Sequence, residues 1–230
     1  MEHLWGYPLA DKLKAAIPSL MAVKLVNDAS AACAGEAVFG AARGLKRSIY
    51  LTVSTGVGGG AVVGGLLLRG ELGNAAEFGH TIVAPDGPVC DCGQQGCLEA
   101  VSSGSGLYRR AVEAGLVNAD EMGWAQMGYW LAERLEQKDP AALALWARAL
   151  DGLAVGITNL YNCFVPQAMV LGGGLSALVQ QDEEQLRAKL KQRARLMPLP
   201  QGVVRFSANR DTIPLLGVAA VAGGWIGQEA

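Results

Sequence analysis

Stretches that read as strands alternate with stretches that read as helices along this chain, and that alternation predicts an α/β fold. Two further observations support a packed domain of that class. Apolar residues make up 51% of the 230 positions and charged residues 17%, which is ample for a core and far from the composition of a disordered chain. Glycine occupies 31 positions beside nine prolines, about twice its usual share of roughly 7%. Such an excess points to tight turns and close backbone approaches to a ligand rather than to a linker. The formal net charge is −2, so no basic face is implied and a nucleic-acid partner is not expected. The longest apolar runs are short and broken by glycine, and the N-terminus carries no signal peptide. A cytoplasmic location with no membrane partner is expected.

The elements follow in order. Trp5 to Pro18 reads as a turn and a short helix, because Pro8 suits a helix start and Leu9, Leu13 and Ile17 share a face. Residues 22–26 are a short apolar run ending at Asn27-Asp28 and read as a strand. An Ala-rich helix over 29–42 is closed by Gly44. Residues 48–54 read as a strand that enters Thr55-Gly56-Val57-Gly58-Gly59-Gly60. A second strand, a Gly64-Gly65 turn and a third strand through Leu68 complete a meander with a glycine-rich first bend. Residues 70–80 read as a loop with at most one helical turn, and 85–97 as a Cys/Gly/Pro loop without regular period. Helices are predicted over 105–115, 120–137 and 140–163, the last carrying Gly152 and Gly156 at a spacing that permits close helix packing. A strand over 168–171 leads into Gly172-Gly173-Gly174, then a helix over 178–195, a strand over 203–206 and a helix over 215–227.

The chain has five cysteines and two histidines, His3 and His80. Cys90, Cys92 and Cys97 cluster, while Cys33 and Cys163 stand alone in helical stretches and read as small buried apolar residues. An odd count, one tight cluster and no secretion signal favour a metal over disulfides. The spacing His80-x9-Cys90-x-Cys92-x4-Cys97 offers one imidazole and three thiolates, a tetrahedral set that suits zinc, with Gly93 and Gly96 to make the bends. Four protein ligands close such a site, so the ion is structural. The alternative is three reduced cysteines beside an ordinary polar histidine. By themselves, Asp28 reads as a helix cap, the glycine bend as a hairpin without ligand, and Glu99 as a surface carboxylate at a helix start. The bend is not a Walker loop, since no Gly-Lys-Ser/Thr follows it.

Several of these segments carry a resemblance. Glu77-Phe78-Gly79-His80 and Cys90-Asp91-Cys92-Gly93-Gln94-Gln95-Gly96-Cys97-Leu98-Glu99 resemble the ROK family of sugar kinases and sugar-responsive repressors. So do Asn27-Asp28-Ala29, Thr52-Val53-Ser54-Thr55-Gly56-Val57-Gly58-Gly59-Gly60 and Val170-Leu171-Gly172-Gly173-Gly174, in the family's order and spacing. The resemblance covers nearly the whole chain and implies an actin-like (ribonuclease H-like) ATPase fold, in which sugar and ATP meet between two lobes.

It implies an ATP-dependent hexose kinase acting at the 6-hydroxyl, with glucose first, then N-acetylmannosamine and fructose. A sugar-responsive regulator and a non-catalytic sugar-binding remnant are the other readings. A regulator's helix-turn-helix segment is not visible here. The resemblance makes Asp28 the general base and gives Asn27, Glu77, His80 and Glu99 to the sugar. His80 then serves both zinc and a sugar hydroxyl through its two ring nitrogens. Thr55, Gly56 and Gly58 face the phosphates of ATP with Mg2+, and Gly172, Gly173 and Gly174 face its adenosine. A homodimer or homotetramer is implied. The family's opening Asp-x-Gly-Gly-Thr hairpin has no counterpart here, so the small lobe is expected to lack roughly 80–100 residues, most of a small domain. Residues 1–45 are then a remnant of that lobe. Residues 46–230 are the large lobe, with the zinc loop at 85–97 and a final helix packing toward the small lobe.

Overall fold

The computed structural model describes residues 7–228; His3 and Trp5 lie outside them. Its centre is β1 (Ser48–Val53), whose sequence Ser-Ile-Tyr-Leu-Thr-Val alternates two sets of side chains across the sheet. Ile49, Leu51 and Val53 enter one core and Tyr50 the other. Antiparallel to β1 runs β2 (Val57–Val63), and parallel to it runs β4 (Ala168–Gly172), so that Leu51 lies between Gly59 and Leu171. Outward from β2 come β3 (Leu66–Leu67) and β6 (Gly227–Gln228); outward from β4 comes β5 (Val204–Phe206). The order is β5-β4-β1-β2-β3-β6, a mixed sheet.

Helices cover both faces. The larger core lies under α3 (Leu98–Ser102), α4 (Gly104–Glu113), α5 (Met127–Glu136), α6 (Pro140–Phe164), α7 (Ser176–Gln181) and α8 (Glu183–Arg193). The start of α6 is set by Asp139, whose carboxylate accepts from the Ala141 and Ala142 N–H groups, with Pro140 in the first turn. This helix is long and apolar enough to cross a membrane, contrary to the short runs expected. Leu145, Leu150, Leu153 and Ile157 spend that apolarity on the core instead.

On the opposite face α2 (Asp28–Val38) and α9 (Ile213–Ala222) pack against each other and the sheet. Their approach depends on missing side chains. A Cβ at Gly217 would overlap the carbonyl oxygen of Ala31, and one at Gly35 that of Ile213. The glycines of β2 serve the same end: a Cβ at Gly60 would lie 2.6 Å from Cys33 Cβ, and one at Gly58 3.1 Å from Ala29 Cβ. Thus α2, on the N-terminal side of the boundary drawn at residue 45, is packed on elements from the other side.

Several expectations need correction. Residues 22–26 form no strand; they have no regular structure, and none of the described strands pairs with them. The helix expected over 29–42 ends at Val38 and gives way to turns through Gly44. Residues 98–102 are helical, in keeping with a helix start at Glu99, and the helix expected from residue 120 starts at Met127 after a 3-10 turn over Trp124–Gln126. The helix expected over 178–195 is two, interrupted at Asp182, whose Oδ2 accepts from Trp146 Nε1 at 2.6 Å. Gly223 and Gly224 end α9 early, and β6 follows. Cys33 is buried as expected; Cys163 is exposed on the outer side of α6.

Candidate functional site

The loop over 85–97 folds by turns. The Cys90 N–H donates to Gln94 O, Gly93 N–H to Cys90 O, and Gly96 N–H to Pro88 O. Gly93 and Gly96 have φ of 87° and 78°, values that favour glycine. These turns gather the predicted quartet: ligand atoms of His80, Cys90, Cys92 and Cys97 all lie within 4.8 Å of one another. Cys90 Sγ is 3.7 Å from His80 Nδ1, and Cys92 Sγ is 3.6 Å from Cys97 Sγ. A tetrahedral cation bound at about 2.3 Å by thiolates sets their sulfurs about 3.8 Å apart, so the cradle fits one such ion. Nδ1 is the His80 ring nitrogen that faces Cys90 and would hold such an ion, which would leave Nε2 for another partner. Burial pushes the Cys97 thiol up to about 12 and raises that of Cys90, while the Gln94 N–H lowers that of Cys92. A bound cation supplies the positive charge that turns such thiols into thiolates.

Glu99 links this cradle to the strand bend. It lies in the first turn of α3, half-buried rather than on the surface. Its Oε1 is 3.8 Å from Cys90 Sγ, and its Oε2 accepts from the Val57 N–H at 3.0 Å. Gly56 must lack a side chain here, because a Cβ would come 2.5 Å from Glu99 Oε2. The 3-10 turn Phe78–His80 presses on the same bend, since a Cβ at Gly79 would overlap the Val57 carbonyl oxygen. Glu77 precedes this turn and is exposed.

A second approach to the bend comes from α2. Asn27, not Asp28, caps this helix: its Oδ1 accepts from the N–H groups of Ala29 and Ser30 at 3.0 and 3.1 Å. Asp28 is the first helical residue, exposed, with Oδ1 accepting from the Ala29 N–H at 2.8 Å. The positive end of the helix favours a carboxylate there. The contact of Ala29 with Gly58 sets this helix end beside β2.

Beyond the bend lies a cavity of about 460 Å³, lined by Ser54, Thr55, Gly104, Trp124, Tyr129 and Gly174 among others. Its rim is held by backbone: Gly104 N–H donates to Ser54 O at 2.7 Å, Ser105 N–H to Thr55 O at 2.9 Å, and Leu175 N–H to Val53 O at 3.0 Å. The three glycines after β4 divide in role. Gly174 lines the cavity; Gly173 has a φ of 83° and sits tight against Thr52; the absent side chain of Gly172 leaves room for the Tyr50 ring. Gly172 thus packs within the sheet and does not line the cavity. Trp124 and Tyr129, exposed by 52% and 84%, were read only as part of a helical stretch. The available signal was three aromatic residues, Trp124, Tyr129 and Trp130, within seven positions.

The ROK family model matches residues 3–224. The chain belongs to the ROK family. A glucokinase of Thermotoga maritima is 38% identical over 74% of this chain and 55% of its own length. An N-acetylmannosamine kinase of Salmonella heidelberg is 34% identical over 96% of the chain and 71% of its own length. Among solved structures, the ROK hexokinase from Thermus thermophilus is 36% identical with a TM-score of 0.80, covering 93% of this chain and 68% of that one. A ROK family glucokinase from Streptomyces griseus, in complex with glucose and AMPPNP, is 33% identical with a TM-score of 0.72, covering 93% and 72%. The α/β architecture with its mixed sheet is therefore that of the ROK sugar kinases, an actin-like fold. The chain spans little more than half the length of the Thermotoga relative.

Proposed function

We propose that this ROK chain serves an ATP-dependent hexose kinase acting at the 6-hydroxyl, with glucose as the first-choice sugar. One observation carries the reading: three structures meet at the bend over 54–58. Glu99 reaches it from the metal loop, the α2 end bearing Asp28 lies beside it, and the Thr55 cavity opens from it. Phosphoryl transfer depends mainly on placing a nucleophile, a phosphate chain and a proton acceptor together.

In this reading Asn27, Glu77, His80 and Glu99 hold sugar hydroxyls. The Asp28 carboxylate takes the 6-hydroxyl proton as that oxygen bonds to the γ-phosphorus; the bond from phosphorus to the β-γ bridging oxygen breaks, and ADP leaves. Thr55, Gly56 and Gly58 face the phosphates, which ATP brings with Mg2+. Gly173 and Gly174 shape the nucleoside end, and Gly172 supports them through Tyr50. His80, Cys90, Cys92 and Cys97 hold a structural zinc, whose chemistry is to fix the loop and the direction of His80. Residues 1–45 belong with a small lobe and 46–230 with the large one, in a cytoplasmic homo-oligomer.

A coupled assay of the purified chain with glucose and Mg-ATP tests this. Asp28→Asn is expected to lower turnover by about 10²-fold or more, and near-normal turnover removes Asp28 from the base role. Retained glucose binding with no turnover in the unaltered chain favours the sugar-binding remnant instead. N-acetylmannosamine is the second sugar to try, since a mannosamine kinase aligns with 96% of the chain. Metal analysis is expected to find about one zinc per chain, lost in Cys97→Ser; a folded, metal-free chain that binds sugar contradicts the zinc.

A further inference from the structure

A larger cavity, about 1070 Å³, is lined in part by the 85–97 loop and shares no lining residue with the Thr55 cavity. Asp86, Gly87 and Pro88 of the loop form one wall, and Arg110 of α4, Arg148 of α6 and Arg193 of α8 converge on it. Arg110 is held in place: its Nη2 donates to Val101 O and its Nε to Gly106 O at 3.3 Å. Burial, and then the nearby charge of Arg148, lower its pKa to about 10, against a smaller opposing effect of Glu113. Arg148 itself is exposed and has no hydrogen-bond or ion-pair partner among the described residues. Two guanidinium groups brought to one cavity repel each other, and an anion between them reverses the sign of that energy.

The charges lining the cavity balance overall, Arg110, Arg148 and Arg193 against Asp86, Glu113 and Asp151, and they are unevenly paired. Asp151 accepts from Arg193 at 3.0 Å and pairs with Lys189 at 3.1 Å, so these three groups leave one positive charge in excess. Asp86 and Glu113, also at the cavity, are exposed carboxylates that can accept from hydroxyl groups. A cavity with paired arginines and carboxylates suits a ligand that carries a phosphate on a polyhydroxylated body.

We propose that this cavity binds a phosphate monoester of a sugar, its phosphate between Arg110 and Arg148 and its hydroxyls on Asp86 and Glu113. The wall it occupies belongs to the loop that carries Cys90, and Val101 on another side follows Glu99 by two positions on α3. Occupancy therefore bears on the loop. If the kinase reading holds, the ligand is of the reaction's product class and the site is regulatory; binding itself does not rest on that reading.

Calorimetric titration of the purified chain with glucose 6-phosphate, inorganic phosphate and glucose tests the site. Glucose 6-phosphate is expected to bind more tightly than inorganic phosphate, and saturating glucose is expected to leave that binding intact. Arg148→Glu, a change at an exposed position, is expected to weaken it at least about tenfold, and Arg193→Ala to weaken it less. Circular dichroism and the thermal midpoint verify that both variants are folded. Failure of both phosphate compounds to bind, unchanged binding in folded Arg148→Glu, or displacement by glucose overturns the proposal. Absence of turnover with binding retained counts against the kinase reading alone.

Discussion

α1 (Leu9–Ala16) and α2 stand close together in sequence and differ in almost every physical respect. α1 buries none of its residues; Leu9, Leu13 and the following Ile17 are exposed by 43%, 36% and 45%, and Met21 beyond them by 95%. α2 buries Ala29 through Ala37 without a gap. Yet α1 has the regular apolar stripe, while α2 is built of small residues apart from Asp28, the buried Glu36 and Val38. A stripe states which face of a helix suits a partner; it does not supply one. Small residues suit a helix surrounded at short range, by the glycines of β2 on one side and by Gly217 on the other. Asn27 and Asp28 stand where the two regimes meet.

The largest test of this contrast is Gly217→Val, which forces side-chain atoms into the Ala31 carbonyl. A loss of about 3 kcal/mol or more in urea unfolding is expected, and a small loss would show that α2 and α9 tolerate separation. Next comes pH. Burial pushes Cys33 of α2 from 9.0 up to about 12, and Tyr50 from 10.0 to about 12. The folded chain keeps protons that the unfolded chain releases, so their contribution is intact below pH 9 and falls as pH rises toward 12. Cys33→Ala is expected to make that alkaline decline shallower by up to about 1.4 kcal/mol per pH unit, measured as urea midpoints from pH 8 upward. An identical decline in both proteins would mean that Cys33 is open to solvent. The smallest effect is expected on the other helix: Leu13→Ser changes stability by less than about 0.5 kcal/mol, and a larger loss reveals a covering surface on α1.

What was legible in the sequence follows from what residue types can signal by themselves. His80, Cys90, Cys92 and Cys97 announce their chemistry through side-chain identity and spacing, and the turns around Gly93 and Gly96 gather them as expected. The alternation in β1 is equally local. The run over 22–26 was misread because apolarity suits a strand but says nothing of a neighbour to pair with. The sequence does not show which surface the absent side chain of Gly172 leaves open; the structure puts the Tyr50 ring there. The break at Asp182 depends on Trp146, 36 positions away. Trp124 and Tyr129 reach the cavity beside Thr55 through tertiary packing, which no local pattern encodes.

The double engagement of Glu99 couples two segments. One carboxylate oxygen faces Cys90 and the other serves the Val57 amide, with Gly56 yielding the space. A bulkier residue at 56 displaces the carboxylate toward the cysteines, and a shorter acid at 99 must abandon one side. Residues 56 and 99 therefore constrain each other's size across 43 positions of sequence.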